Sequence, residues 1–395
     1  MTSIEHSIMT NIIGGGIGGI TLANMLSLGG EKYEVYERNA EIYGDGFGLN
    51  IQPAAVAVLY HLGLKEKLDI TGIRTRAHRY INHRGEVLYE EARGLAAGFE
   101  FPQISIHRND LLKLLYNNLP ISARIQFGCE IDERKLEQKI NNGISNQKQA
   151  QLTVGADGLH SVVRRYLFPK AQELNTSETI LWRGITAMPR LLDGKTMILA
   201  NDKSGIRLIA YPVSNEYEIN NESLVNWVIL IPRNFPRGNK NLDDNNEQVS
   251  NYLLNCIGDW NFGWLDLELL IKSSKKYLKT EMVDRDPLDI WSSRNCVLIG
   301  DAAHPMFPVG ANGATQSIID AGTLAKEIIK GTNIENVIKN YESLRVPIVR
   351  NIVLANREMN SRELSSKSLD DQEFTQNIIE TTKDYRSKVI NSAIN

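Results

Sequence analysis

Cysteine is scarce in this sequence. Cys129, Cys256 and Cys296 are the only three in 395 residues, and they lie far apart. They form no CxxC pair and no metal-ligand spacing, and three thiols cannot make an even-numbered disulfide framework. A reducing compartment, the cytoplasm, is therefore expected. No charge of one sign dominates either. Forty-four Lys and Arg stand against 47 Asp and Glu, a net charge of −3. That balance lacks the basic footprint of a nucleic-acid or anionic-membrane binder. No apolar run approaches the ~18 residues of a membrane span. The first seven residues, MTSIEHS, contain a Glu and no basic cluster, so no secretory leader is expected. His78, His83 and His107 have no ligand spacing, which argues against zinc. Neither an internal repeat nor a Ser-His-Asp constellation is visible.

What is present is ordinary globular composition, with 42% hydrophobic residues, in a chain long enough for two domains. The N-terminus reads as strand (8–13), glycine turn (14–19), helix (20–28) and second strand (33–38), a βαβ beginning. Pro53 opens a helix that Gly63 stops. Residues 79–90 read as a hairpin turning at His83-Arg84-Gly85. Asn109 is expected to cap a helix ending at Pro120. From 179 to 232, strand-like runs at 180–188, 196–201, 207–213 and 223–231 suggest an antiparallel sheet. Polar stretches at 141–149 and 239–248 read as loops, the first as a hairpin tip. Strand 295–299, helix 314–330 and a long helix 334–357, interrupted near Pro347, follow. Residues 361–395 read as a helical or frayed tail.

Three motifs carry chemistry. Gly14-x-Gly16-x-x-Gly19 follows an apolar strand and opens a helix, the context of a dinucleotide fingerprint. Its glycines permit a tight turn, approach of a pyrophosphate and helix–strand packing. Glu37 and Arg38 end the second strand. The Glu37 carboxylate suits the hydroxyls of an adenosine ribose and repels a 2′-phosphate, which leaves NAD and FAD. The second motif, Asp157-Gly158, sits at a strand-to-helix turn, where Asp157 and Ser161 also suit a simple helix start. The third is Gly300-Asp301 at the end of an apolar strand, followed by Gly310-Ala311-Asn312-Gly313 before a helix. A carboxylate there suits a ribityl chain. Turn amides and a helix N-terminus there suit negative charge on a reduced flavin.

In this order the three motifs resemble those of the single-component flavoprotein aromatic hydroxylases, typified by para-hydroxybenzoate hydroxylase. Within that family, the segments 48–56, 181–184, 193–198, 223–228 and 282–288 look like those of phenazine hydroxylases. The likeness runs over about residues 8–360. It implies an α/β fold: a Rossmann-like FAD-binding domain (1–75, 103–175 and 285–360) with an inserted, mostly antiparallel β-sheet substrate domain (76–102 and 176–284) and C-terminal helices. It implies FAD as cofactor, with Arg108 reaching it, and NADH or NADPH as transient hydride donor in the absence of a second GxGxxG. The implied reaction is hydroxylation of a small aromatic substrate by O2 through a C4a-hydroperoxyflavin, with no nucleic-acid or membrane partner, in a monomer or homodimer. Antibiotic inactivation and non-catalytic redox sensing are the alternatives. Pocket candidates are Trp182, Met197, Tyr211, Trp227, Met306, Phe307 and Pro308. About half of such sheet residues face away, and alternation alone does not say which. Phe307 stands where the phenazine hydroxylases carry a Tyr beside the flavin. Arg183 either holds an acidic substrate or supports the fold.

Overall fold

The computed structural model describes residues 8–42, 46–145, 151–236, 245–331, 333–365 and 371–394. Three sheets organise these residues.

The first sheet has six strands, in the order Ser292–Ser293, Cys296–Leu298, Gln151–Gly155, Met9–Ile13, Tyr33–Tyr36 and Ile125–Gln126. All its pairings are parallel except the first. Ile12, Val35, Val154 and Val297 are fully buried along it, the near-continuous apolar runs of a sheet covered on both faces. Helices Ile17–Leu28 and Gly313–Lys330 pack together against it. Asn24 Nδ2 donates to Leu115 O at 2.9 Å, tying the first helix to helix Arg108–Asn117. That helix begins at Arg108 with His107 at its cap position, so Asn109 is not the cap.

The second sheet has seven strands, in the order Leu278–Asp284, Asn175–Pro189, Glu222–Pro232, Arg207–Pro212, Thr196–Asn201, Ala77–Asn82 and Val87–Ala92. The sheet is mostly antiparallel, as expected; the one parallel pairing joins Thr196–Asn201 to Ala77–Asn82. Helices Asn246–Cys256 and Leu267–Lys272 pack on one face, where Leu253, Leu270 and Ile271 bury against Trp227 and Ile229. A third sheet of Gly48–Ile51, Gln103–His107 and Ile73–Thr75 lies between the two. Gly48 N donates to Asn226 Oδ1 of the large sheet, and Gln52 N to Thr315 Oγ1 of the helix following the Gly310–Gly313 turn.

Two further expectations change. Residues 133–145 form a helix rather than a hairpin tip: Leu136 and Ile140, four apart, bury one face, and Asp132 Oδ1 accepts from Lys135 N at its start. Residues 146–149 of that stretch lie outside the described residues, as do 239–244 of the second polar loop. Helix Ile334–Ser365 runs on through Pro347. Buried Val349, Ile352 and Val353 hold it, and tertiary packing outweighs the one hydrogen bond a proline removes. Within the tail, Asp371–Ile394 is a helix docked on the preceding one, with Phe374 and Ile378 packed on Tyr80.

Candidate active site

A single cavity of about 1300 Å³ runs from the glycine turn to the face of the large sheet. Small-molecule sites span roughly 300–1,000 Å³, so the space suits a dinucleotide together with a second ligand.

At one end lies the glycine turn. Gly14 has φ +106°, and a Cβ there would stand 2.3 Å from Ala156 O, so only glycine fits. Nothing stands within 4 Å of a Cβ placed on Gly16, which lines the open cavity. Gly19 does not line it. A Cβ there would meet Gly14 O at 2.0 Å, so Gly19 serves helix–strand packing. Glu37 accepts from Gly15 N at 2.7 Å and from Asn39 N at 2.8 Å. Two hydrogen bonds leave lone pairs of its carboxylate for other donors, and it lines the cavity with Arg38. Asp157 and Gly158 line it as well, but the Asp157 carboxylate accepts from Ser161 Oγ and Val162 N, capping helix Val162–Leu167.

The Gly300–Gly313 segment forms the next wall. Its first turn is anchored from beneath by buried Asp320, which accepts from Gly300 N (2.9 Å) and Arg345 Nε (2.7 Å) and lies 2.5 Å from His304 Nε2. Burial pushes the Asp320 carboxyl up, but His304 and Arg345 outweigh it and hold it at about 2. His304 thus positions the loop and does not face the cavity. Buried Arg164 adds a second anchor, donating to the Ala302 and Ala303 carbonyls. Asp301 takes no part in these anchors. It opens onto the cavity, with Oδ1 3.8 Å from where a Cβ on Gly313 would stand. Desolvation within the cavity wall raises its carboxyl, against the pull of His304 and Arg108. Met306, Pro308, Gly310, Ala311, Asn312 and Gly313 line this wall, with Arg108 nearby at the start of its helix.

The large sheet supplies the floor, and strand alternation decides which residues reach it. Arg183, Tyr211, Met197 and His78 face the cavity. Trp182 and Trp227 do not: both point to the opposite face, where Trp182 meets Tyr252 and Trp227 Nε1 donates to Thr186 Oγ1. Phe307 is also absent from the lining. Its side chain packs with Leu181, Leu230, Met282 and Met359, and its carbonyl accepts from Asn356 Nδ2. Arg183 is a deeply placed cation that burial pulls below the ordinary arginine range. Its Nε is buried without a hydrogen-bond partner, and no carboxylate pairs with it among the described residues. Burial likewise drives His78 well below the usual histidine range, so it is neutral at pH 7; its Nε2 is 2.9 Å from Gln103 Nε2.

Sequence reasoning missed Asp320 and Arg345, which sit in helices without a motif. The tail was missed too: Thr382, Tyr385 and Val389 line the cavity. Their spacing of three and four is helical, the one signal that pointed to a buried face.

A family model described as FAD binding domain matches residues 7–356. The chain belongs to this family. It is 39% identical to phenazine 1,6-dicarboxylic acid hydroxylase PhzS of Lysobacter antibioticus, over 97% of each chain. It is 27% identical to 3-amino-4-hydroxybenzoate 2-monooxygenase of Streptomyces cremeus, over 87% of this chain and 84% of that one. Among solved structures, Klebsiella pneumoniae HpxO complexed with FAD and uric acid superposes with a TM-score of 0.77 at 20% identity, covering 98% of this chain and 97% of that one. The chain is an FAD-dependent monooxygenase of aromatic compounds. Its residues fit the cofactor: an open glycine turn, a ribose-ready Glu37 and an uncommitted Asp301 line one continuous space. No helix among the described residues is long and apolar enough to cross a membrane.

Proposed function

We propose that this monooxygenase hydroxylates a flat, carboxylate-bearing, polycyclic aromatic compound of the phenazine type, with O2 and NADH or NADPH. The observation that carries the reading is Arg183, a cation that no carboxylate pairs with among the described residues, set at one end of an apolar floor. Strand register aligns Arg183 with Val228, Val228 with Ile209, Ile209 with Leu199, and Leu199 with Tyr80. Four interstrand steps of about 4.8 Å make that row about 19 Å long. Three aliphatic side chains between a guanidinium and an aromatic ring suit a tricyclic plane anchored by one carboxylate. The similarity to a hydroxylase of phenazine 1,6-dicarboxylic acid supports the same class.

Bound FAD would supply the redox chemistry, accepting hydride from the pyridine nucleotide and activating O2. The chain supplies the rest. Gly14, Gly16 and the N-terminus of helix Ile17–Leu28 offer amides to the pyrophosphate. Glu37 would accept from the adenosine ribose, Arg108 would pair with the phosphates, and Asp301 would accept from the ribityl chain. The Gly310–Gly313 amides and the helix they open favour negative charge at the ring. Met306 and Pro308 keep that edge apolar and dry. Arg183 holds the substrate carboxylate so that one ring carbon faces the cofactor.

We assign the nucleotide side to residues 1–75, 103–175 and 285–360 and the substrate side to 76–102 and 176–284. The scarcity of cysteine, three residues far apart in the sequence, suits the cytoplasm, and a site complete within one chain suits a monomer or a homodimer.

The test is a panel of phenazine and benzoate acids beside their uncharged analogues, scored by stimulated NADH and NADPH consumption and by product mass. Wild type should favour tricyclic acids. Arg183→Met removes a charge-assisted hydrogen bond of about 1.5–3 kcal/mol, so KM for the acids should rise roughly ten- to a hundredfold while uncharged analogues are unaffected. Equal KM values in variant and wild type would remove the carboxylate from the reading.

A further inference from the structure

We propose that Tyr385, in the C-terminal helix beyond the span matched by the family model, is a positioning residue for the cofactor-facing turn at Gly310–Gly313. The proposal rests on the reading that this turn lies against bound FAD.

The turn is conformationally costly. Gly310 has φ +70° and Ala311 φ +55°, the latter a left-handed conformation that a side chain disfavours by about 1–2 kcal/mol. Such a conformation persists only where the surroundings over-determine it. Here the Tyr385 hydroxyl does so. It accepts from Asn312 Nδ2 and donates to Asn356 Oδ1 at 2.7 Å. Asn356 Nδ2 in turn donates to Phe307 O at 3.0 Å. One chain of hydrogen bonds therefore ties Phe307, upstream of the turn, to Asn312, the residue after its left-handed pair. The hydroxyl also presses on the turn itself: a Cβ on Gly310 would stand 2.1 Å from it. Tyr385 lines the cavity, and burial pushes its phenol above the ordinary tyrosine range, so it stays protonated.

Its helix is held in place independently. Phe374 and Ile378 pack on Tyr80, and Arg386 Nη1 donates to Glu91 Oε1 at 2.7 Å. Neither contact involves the Tyr385 hydroxyl, so removing the hydroxyl should loosen the turn while leaving the helix docked. The amides of a loosened turn would no longer point steadily at the site where reduced FAD carries negative charge. The equilibrium between oxidised and reduced cofactor would then shift toward the oxidised form.

Tyr385→Phe in the holoenzyme tests this. The readouts are thermal midpoint, flavin absorption spectrum, midpoint potential and the fraction of NAD(P)H converted to hydroxylated product. The expected result is a nearly unchanged thermal midpoint and an oxidised-to-reduced ratio raised roughly three- to tenfold at a fixed potential, the scale of one lost hydrogen bond. Coupling should fall with it. Tyr385→Ala should move the flavin readouts in the same direction and lower the thermal midpoint as well. An unchanged spectrum and potential in Tyr385→Phe overturns the proposal, whether or not the thermal midpoint falls, since a purely structural tyrosine would behave so. Asp301→Ala run in parallel separates the two readings. If it weakens FAD binding while Tyr385→Phe leaves the flavin untouched, the Tyr385 role fails alone. If neither variant alters the flavin, the placement of FAD fails with it.

Discussion

Trp182 and Arg183 are neighbours in sequence and lie on opposite faces of the same seven-stranded sheet. On the Trp182 face, helices Asn246–Cys256 and Leu267–Lys272 close a core around Trp227, Ile229 and Leu253. On the Arg183 face, side chains of equal hydrophobicity, such as Val228, Ile209 and Leu199, line a cavity instead. The strands themselves do not differ between their faces; what lies opposite does. Helices cover one face, and the glycine-rich loops of the parallel sheet stand across from the other. The parallel sheet works differently again, since its chemistry sits at strand ends, where Gly14, Glu37, Asp157 and Asp301 follow the last paired residues.

The largest effect should come from the packed face. Trp227 is fully buried, and Trp227→Ala should destabilise the protein by about 3–5 kcal/mol in chemical denaturation. Soluble variant protein should keep its KM for substrate. A large change in KM with little loss of stability would mean that the faces have been assigned the wrong way round.

Asp301→Ala is next and probes a strand end. About 1.5–3 kcal/mol of hydrogen bonding would be lost, so FAD titration should show affinity reduced ten- to a hundredfold. Unchanged affinity would take Asp301 out of the cofactor site.

Asp320 gives a pH signature. Its carboxyl sits at about 2 in the folded chain, below the ordinary 3.8. The stabilisation is therefore complete above about pH 4 and lost as the pH falls toward 2. Its size is about 2 kcal/mol. Denaturation midpoints from pH 5 to 2 should fall less steeply in Asp320→Asn, which will already be less stable at pH 5. Parallel curves for the two proteins would show that Asp320 does not carry this dependence.

The smallest effect is expected at Leu199 on the cavity floor. Leu199→Val removes one methylene, about 1 kcal/mol of apolar contact, and should raise KM for a tricyclic substrate roughly fivefold with little change in thermal stability. The reverse pattern would make the floor a core.

Local patterns determined the parts of this protein that need a particular backbone. GxGxxG between a strand and a helix marked the glycine turn at 14–19 because a φ of +106° at Gly14 admits only glycine. Period-two runs marked four strands of the large sheet, since side chains alternate by covalent geometry alone. Gly300-Asp301 marked a second strand end for the same reason. Which face of the large sheet would be wet was not legible, because Trp182 and Arg183 exchange roles if the register slips by one residue. Phe307 misled for a related reason: lying close before the Gly310–Gly313 turn in sequence does not fix where a side chain points, and this one turned into the cluster around Met282 and Met359. The anchors Asp320 and Arg345 lie 16 and 41 residues from His304 and make sense only once helices Gly313–Lys330 and Ile334–Ser365 pack together. Tyr385 entered the site from a polar tail for the same physical reason. Burial, charge pairing and the wall of a cavity are properties of neighbours distant in sequence, and only the tertiary structure chooses those neighbours.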